Sequence, residues 1–379
     1  MKITEIRTTP IMVPYVEPFY FAQGVIHGAT VILVEVHTDE GLIGYGESIG
    51  TASTEGVQSY IKLAGATCIG HSPFENTGLM SNAYHELFQV LGTCSSPRFA
   101  GQILAGLEMA LWDVMGKATG CAVHELMGGA VRDEIEYFGF PQGETAEEIA
   151  SQAKQMAEAG NEVIYVKVGR GDALDLAIAK QVRAVIGPDK RLRMDANEHW
   201  SPVRARRMIQ KMSEFDVEFI EQPTNCESVS ALAQVRENSP IAIAADQLVF
   251  TPYDAFNVCR EKAADLIVLG LHETGGLQRF SKCAHIAEAA GIDICIHGLY
   301  ETGITTCAAN QVAATIPNLD DGNQYMNHLL AWDIVKSPEL QLVKGKLPVI
   351  KGHGLGFELD DDKVKQAAEL FIKQETDNE

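Results

Sequence analysis

From about residue 135 onward, a short apolar run rich in β-branched residues recurs roughly every 25 residues, and each run is followed by a helical-looking stretch. The ends of successive runs fall at Lys167, Asp195, Glu221, Asp246, Gly270 and His297, separated by 28, 26, 25, 24 and 27 residues. Such an interval holds one strand and one helix. Segments such as LDLAIAKQVRAVIG and RARRMIQKMSEF carry the amphipathic period of a helix. Parallel strands joined by crossovers of one hand pack onto a single sheet, and seven or eight such units close into a barrel. The fold class expected is therefore α/β with a closed parallel barrel. An open doubly wound sheet is the alternative, but no Gly-rich phosphate fingerprint follows an early strand.

The first third has a different texture. Ile3 to Val13 and Thr30 to His37 alternate like strands, and the turn 38–41 leads into Leu42 to Glu47 as a hairpin. Ile103, Leu107, Ala110, Leu111 and Val114 fall at helical spacing, with Gly120 as a helix stop. Residues 1–125 thus read as an α+β unit ahead of a barrel over 126–354. The tail, about 355–379, is expected to return to the first unit or fray.

The bulk numbers exclude several partners. A formal charge of -21 over 379 residues argues against nucleic acid and against anionic membrane surfaces, both of which need a basic patch. No apolar run approaches the ~20 residues needed to cross a bilayer. The eight cysteines (68, 94, 121, 226, 259, 283, 295 and 307) form no CxxC pair and are expected to be reduced and mostly buried. A cytoplasmic protein is the expectation.

Catalytic groups of a barrel gather at the C-terminal ends of its strands. Asp195 (RMDAN), Glu221 (FIEQP) and Asp246 (AADQ) end three successive runs. One acid in such a place is usually a helix cap or a surface residue; three at matching positions form a hard-oxygen set suited to Mg²⁺ rather than Zn²⁺. Lys167 interrupts an apolar strand, where a lysine normally snorkels to water. Buried near a metal it would instead lose charge and serve as a general base. His297, alone, reads equally well as a hydrogen-bonded core histidine. Opposite Lys167 it reads as the second acid–base group, and Glu301 as a residue that orients it, protonates an intermediate or binds substrate.

These segments together resemble the mandelate racemase/muconate lactonizing enzyme family of the enolase superfamily. The resemblance runs through TVILVEVHTDEGLIGYGES, ALWDVMGKATGCAVHELMGG, KVG, MDAN, EQP, AADQ, the Gly275-Gly276 pair and IHGLYETGI. It implies an N-terminal α+β capping domain, a (β/α)7β TIM-like barrel, and one Mg²⁺ per subunit on Asp195, Glu221 and Asp246. It also implies removal of the proton α to a carboxylate to give a metal-stabilised enediolate, a known superfamily pattern. The chain departs from the family at three places. Tyr165 replaces the first lysine of Lys-x-Lys, and the distal glutamate of the racemase type is absent around Asn327. Gly270 stands where relatives carry a second lysine or a histidine-supporting aspartate, so His297 is expected to lack its partner.

The reaction expected is Mg²⁺-dependent dehydration of a small hydroxy acid, an acid sugar or a hydroxyproline-like ring. Lys167 would take the proton, and His297 or Tyr165 would protonate the leaving hydroxyl. A racemase/epimerase or cycloisomerase is the alternative; a Schiff-base aldolase and a non-catalytic binding barrel are remote ones. Tyr20, His27 and Asn197 are the expected substrate contacts, with Tyr15 and Gln23 also in the specificity segment 14–28. A small carboxylate substrate and a homo-oligomer, dimer or octamer, complete the expectations.

Overall fold

The computed structural model describes residues 1–51, 53–88 and 97–378. Cys94 lies outside them; the seven described cysteines are free, and five of these are buried. No helix among the described residues is long and apolar enough to cross a membrane.

The N-terminal part is a three-stranded antiparallel sheet of β1 (Ile3–Phe21), β2 (Gly24–Thr38) and β3 (Ile43–Ile49). It packs against α1 (Thr54–Ala66), α2 (Asn76–Phe88) and α3 (Pro97–Thr119). Ile32, Val34 and Val36 of β2 meet Ile103, Leu107 and Leu111 of α3 in one buried cluster, where period 2 faces period 3.6. Contact between β3 and α3 is so close that Gly44 and Gly46 have no room for a side chain. The specificity segment 14–28 forms a hairpin arm. β1 shifts register after Pro14 and pairs again through Phe19↔Ile26 and Phe21↔Gly24.

The barrel strands are β4 (Glu134–Glu136), β5 (Val163–Lys167), β6 (Arg191–Asp195), β7 (Val217–Glu221), β8 (Ala242–Ala245), β9 (Leu266–Gly270) and β10 (Asp293–His297). The short α4 (Val123–Leu126) precedes them, and between them run α5 (Ala146–Glu158), α6 (Asp172–Ile186), α7 (Pro202–Met212), α8 (Val229–Arg236), α9 (Pro252–Arg260), α10 (Leu271–Thr274) and α11 (Leu277–Ala289). α12 (Gly303–Ala313) and α13 (Asp361–Asn378) follow, and α13 packs on β1. Ser201-Pro202 and Thr251-Pro252 start α7 and α9, each hydroxyl capping a backbone N–H and each proline losing none that the helix needs.

β10-β9-β8-β7-β6-β5 form one parallel sheet in that order. Irregular segments close the ring. The backbone around Gly139 bridges to β5, that around Asn323 bridges to Tyr137, and Leu319 bridges to Ile294 of β10. The strand expected over 135–140 is thus regular only at β4, which pairs with residues 346–348. Its continuation completes the barrel through single bridges.

Candidate active site

Parallel register aligns the chemistry. Lys167 of β5 pairs with Asp195 of β6, Asp195 with Glu221 of β7, and Glu221 with Ala244, two residues before Asp246. On the other side of the ring His297 of β10 pairs with Gly270 of β9. All these groups end their strands at one face, and all are buried. They border or underlie a cavity of about 210 Å³ lined by Lys167, Asn197, Glu198, Gln247, Glu273, His297 and Gln324. Phe19, Phe21, Gln23, Gln102 and Tyr300 roof it. Its volume lies below the roughly 300–1,000 Å³ of drug-sized pockets, so the ligand it suits is small. Larger hollows of about 510 and 730 Å³ lie elsewhere on the molecule, away from these groups.

The Lys167 ammonium lies 2.5 Å from Asp195 Oδ2. The Tyr165 hydroxyl sits between Asp195 Oδ2 (2.8 Å) and Glu221 Oε1 (2.9 Å), its ring stacked on Phe138 at 4.3 Å. Burial alone lowers the Lys167 pKa, but the carboxylates of Asp195, Glu221 and Asp246 outweigh it and hold the amine above its ordinary value. The expected neutral lysine is therefore not what these side chains produce by themselves. Burial, then the same three carboxylates, pushes the Tyr165 phenol well above its usual range. Tyr165 is thus a donor rather than an acid. Burial, reinforced by Asp195 and Asp246, also raises Glu221 well above the carboxylate range.

Both carboxylate oxygens of Asp246 are buried without a hydrogen-bond partner, and the cationic atom beside them is His297 Nδ1 at 3.2 Å. Burial lifts the pKa of this acid to about 6. Its oxygens, without a hydrogen bond and with the His297 ion pair beside them, have room for a further cation. With Asp195 and Glu221 it offers only hard oxygens, a donor set that fits Mg²⁺. Among the described residues a different trio, Asp246, Glu273 and His297, brings its ligand atoms within 4.8 Å of one another. A ligating histidine must be neutral. Burial opposes charge on His297, but the carboxylates of Asp246 and Glu273 raise its pKa well above normal. In that trio both carboxylates lie against the same imidazole nitrogen, His297 Nδ1, whereas Asp195, Glu221 and Asp246 offer an all-oxygen set.

His297 does not lack a partner, contrary to the expectation from Gly270. Its Nδ1 lies 2.9 Å from Glu273 Oε2, three residues beyond that glycine. Glu301 makes no such contact. Its carboxylate accepts from Leu299 N at 2.9 Å, outside the cavity lining, and burial pushes its pKa up to about 8. The neighbouring His272 is held at about 3 by burial and stays neutral, its Nε2 hydrogen-bonded to Thr305.

Asn197 lines the cavity, in a left-handed conformation with φ of 40°, and its Oδ1 is buried without a partner. Tyr20 does not line it. Alternation along β1 turns Phe19 and Phe21 inward and Tyr20 outward, where its hydroxyl donates to Glu144 and Arg170 covers its ring. His27 is exposed on β2 and does not line the cavity, and Tyr15 is buried, bridging to Leu330. Phe19, Phe21 and Glu273 were missed from sequence. The signals present were the alternation FYF and an acid three residues after a strand-end glycine.

Residues 148–363 match the family model described as enolase C-terminal domain-like, and residues 3–128 match that of the mandelate racemase / muconate lactonizing enzyme N-terminal domain. Muconate cycloisomerase 1 of Rhodococcus opacus is 31% identical over 96% of this chain and 98% of its own length. The L-Ala-D/L-Glu epimerase of Bacillus subtilis is 30% identical over 84% of this chain and 87% of its own. Among solved structures, a dipeptide epimerase from Enterococcus faecalis, complexed with Mg and the dipeptide L-Leu-L-Tyr, superposes with a TM-score of 0.86 at 27% identity. That match covers 94% of this chain and all of the other.

Proposed function

Because the chain belongs to the mandelate racemase/muconate lactonizing enzyme family of the enolase superfamily, we propose that it is a Mg²⁺-dependent isomerase that moves the proton α to the carboxylate of a small polar acid. The observation that carries this reading is the placement of Lys167 and His297 at opposite sides of one buried cavity beside three strand-end acids. Two acid–base groups facing one carbon from two sides are what inversion at that carbon requires. The relatives compared are cycloisomerases and epimerases, which favours isomerisation over the dehydration expected from sequence.

Asp195, Glu221 and Asp246 would hold the cation. When bound, it supplies the positive charge that offsets these acids and the negative charge developing on the substrate carboxylate. Lys167, as the free amine, takes the α proton, and the bonding pair stays with the substrate. The His297 imidazolium delivers a proton to the opposite face, and the two groups exchange roles in the reverse direction. Tyr165 holds Asp195 and Glu221 in place through its hydroxyl. Phe19, Phe21 and Tyr300 exclude water from the cavity, while Asn197 Oδ1 and Gln247 Oε1, both buried and unpartnered, accept hydrogen bonds from substrate donors. Those amides suit a hydroxy or amino acid.

Dehydration remains a second reading, supported by the Glu273 and Asp246 carboxylates at His297 Nδ1, which favour a proton on that ring. The imidazolium could pass its proton to a β-hydroxyl leaving as water. Incubation of the Mg²⁺-loaded protein in D₂O with acid sugars, amino acids and hydroxyprolines separates the two. An isomer carrying α-deuterium is the expected product, and a keto acid would favour dehydration. The absence of both across the panel would defeat the assignment.

A further inference from the structure

We propose that Glu273 is the positioning residue for His297, an acid delivered from the short helix after β9 into space that Gly270 leaves free. The role rests on the assignment of His297 as an acid–base group. Glu273 Oε2 meets His297 Nδ1 at 2.9 Å, and both side chains are about nine-tenths buried or more. A carboxylate on Nδ1 fixes the ring's tilt and tautomer, and leaves Nε2 as the atom that works. A Cβ on residue 270 would lie 2.4 Å from Glu273 Oε2, so a side chain on the strand would push the Glu273 carboxylate out of its present place. Gly270 has ordinary extended geometry, φ −106°, so its lack of a side chain serves space rather than backbone conformation.

The N-terminal unit holds this glutamate in place. Helix α3 crosses α10 so closely that a Cβ at Gly101 would lie 2.5 Å from the Glu273 carbonyl oxygen. Seven residues further along α3, the buried Glu108 carboxylate accepts the backbone N–H groups of Leu277 (2.7 Å) and Gln278 (3.0 Å), the first residues of α11. Gly276, with φ of 110°, lets that carboxylate approach; a Cβ there would lie 2.3 Å from Glu108 Oε2. Both ends of the turn that carries Glu273 are thus gripped by α3. The structure couples the N-terminal unit to the orientation of His297.

The test uses Glu273→Gln, Glu273→Ala and the double variant Glu273→Ala/Gly270→Asp, each as full-length Mg²⁺-loaded protein. Nitrogen-15 histidine spectra should show a hydrogen-bonded Nδ1 proton of His297, identified by its loss in His297→Asn. It should weaken in Glu273→Ala, where only the longer 3.2 Å contact to Asp246 Oδ1 remains, and return in the double variant, where the strand aspartate has room. Exchange of the α proton on the face served by His297 should fall about 10–100-fold in Glu273→Ala and recover in the double variant. Exchange on the Lys167 face should change little, which a general loss of structure would not allow. Glu273→Gln should keep its Mg²⁺ affinity. An unchanged Nδ1 signal in Glu273→Ala, equal loss on both faces, or loss of Mg²⁺ binding in Glu273→Gln would overturn the role. If no acid exchanges in the wild type while the Nδ1 signal responds as described, the proposed reaction fails and the positioning contact stands.

Discussion

Tyr165 occupies a strand position where a lysine would add positive charge, and it adds a neutral donor instead. Its hydroxyl touches two of the proposed metal ligands, and burial keeps it protonated. Tyr165→Phe should therefore weaken Mg²⁺ binding by about 10–100-fold, as loss of a ligand-orienting contact does. Calorimetric titration would show it; an unchanged affinity would remove Tyr165 from the site. Glu301 offers a pH prediction. Its folded pKa, about 8 through burial, stands above the ordinary carboxyl value of 4.5. A raised pKa means that the folded state prefers the protonated acid. The associated stability is complete below about pH 4.5 and is lost as pH rises through 8. Glu301→Gln should flatten the fall in melting temperature over that window. A parallel fall in wild type and variant would contradict the burial argument. The same residue shows the reach of sequence: IHGLYETGI marked Glu301 as chemical, yet only the fold reveals that Glu273 reaches His297.

At the scale of elements, helix α3 does two tasks, covering the N-terminal sheet and gripping the turn after β9. Its approach to β3 depends on glycine. A Cβ on Gly46 would lie 2.1 Å from the Gly106 carbonyl oxygen. Gly46→Ala should cost about 1–3 kcal/mol or more in denaturant unfolding, the range for an overpacked interface. A neutral result would mean that the helix can move away freely. The strands that end at Lys167, Asp195, Glu221, Asp246, Gly270 and His297 were legible because apolar runs at a constant interval admit few architectures. The hairpin arm was not, because Pro14, Glu17 and Pro18 interrupt the alternation of β1 and read as loop. Barrel closure through 137–140 and 319–324 was equally hidden, since isolated bridges leave no periodic pattern.

At the scale of the molecule, two units meet over one small cavity. The hairpin arm reaches from the first across the mouth of the second and is fastened there by Tyr20 N to Gln142 and by Tyr20 to Glu144. We propose the division as a cap of about 1–125 and a barrel of 126–354, with α13 returning to β1. A chain with a formal charge of -21 that buries Asp195, Glu221 and Asp246 together would gain stability from the cation proposed there. Mg²⁺ at 100 times its dissociation constant should add about 2.7 kcal/mol, and Asp246→Asn should abolish that gain. A gain that survives Asp246→Asn would place the cation elsewhere.

The most direct measurement follows α-proton exchange of each substrate antipode in D₂O for wild type, Lys167→Ala and His297→Asn, with Mg²⁺ present. Lys167→Ala should abolish exchange of one antipode and leave the other measurable, and His297→Asn should do the reverse. Substantial exchange of both antipodes in Lys167→Ala would show that the base lies elsewhere and contradict the two-sided site.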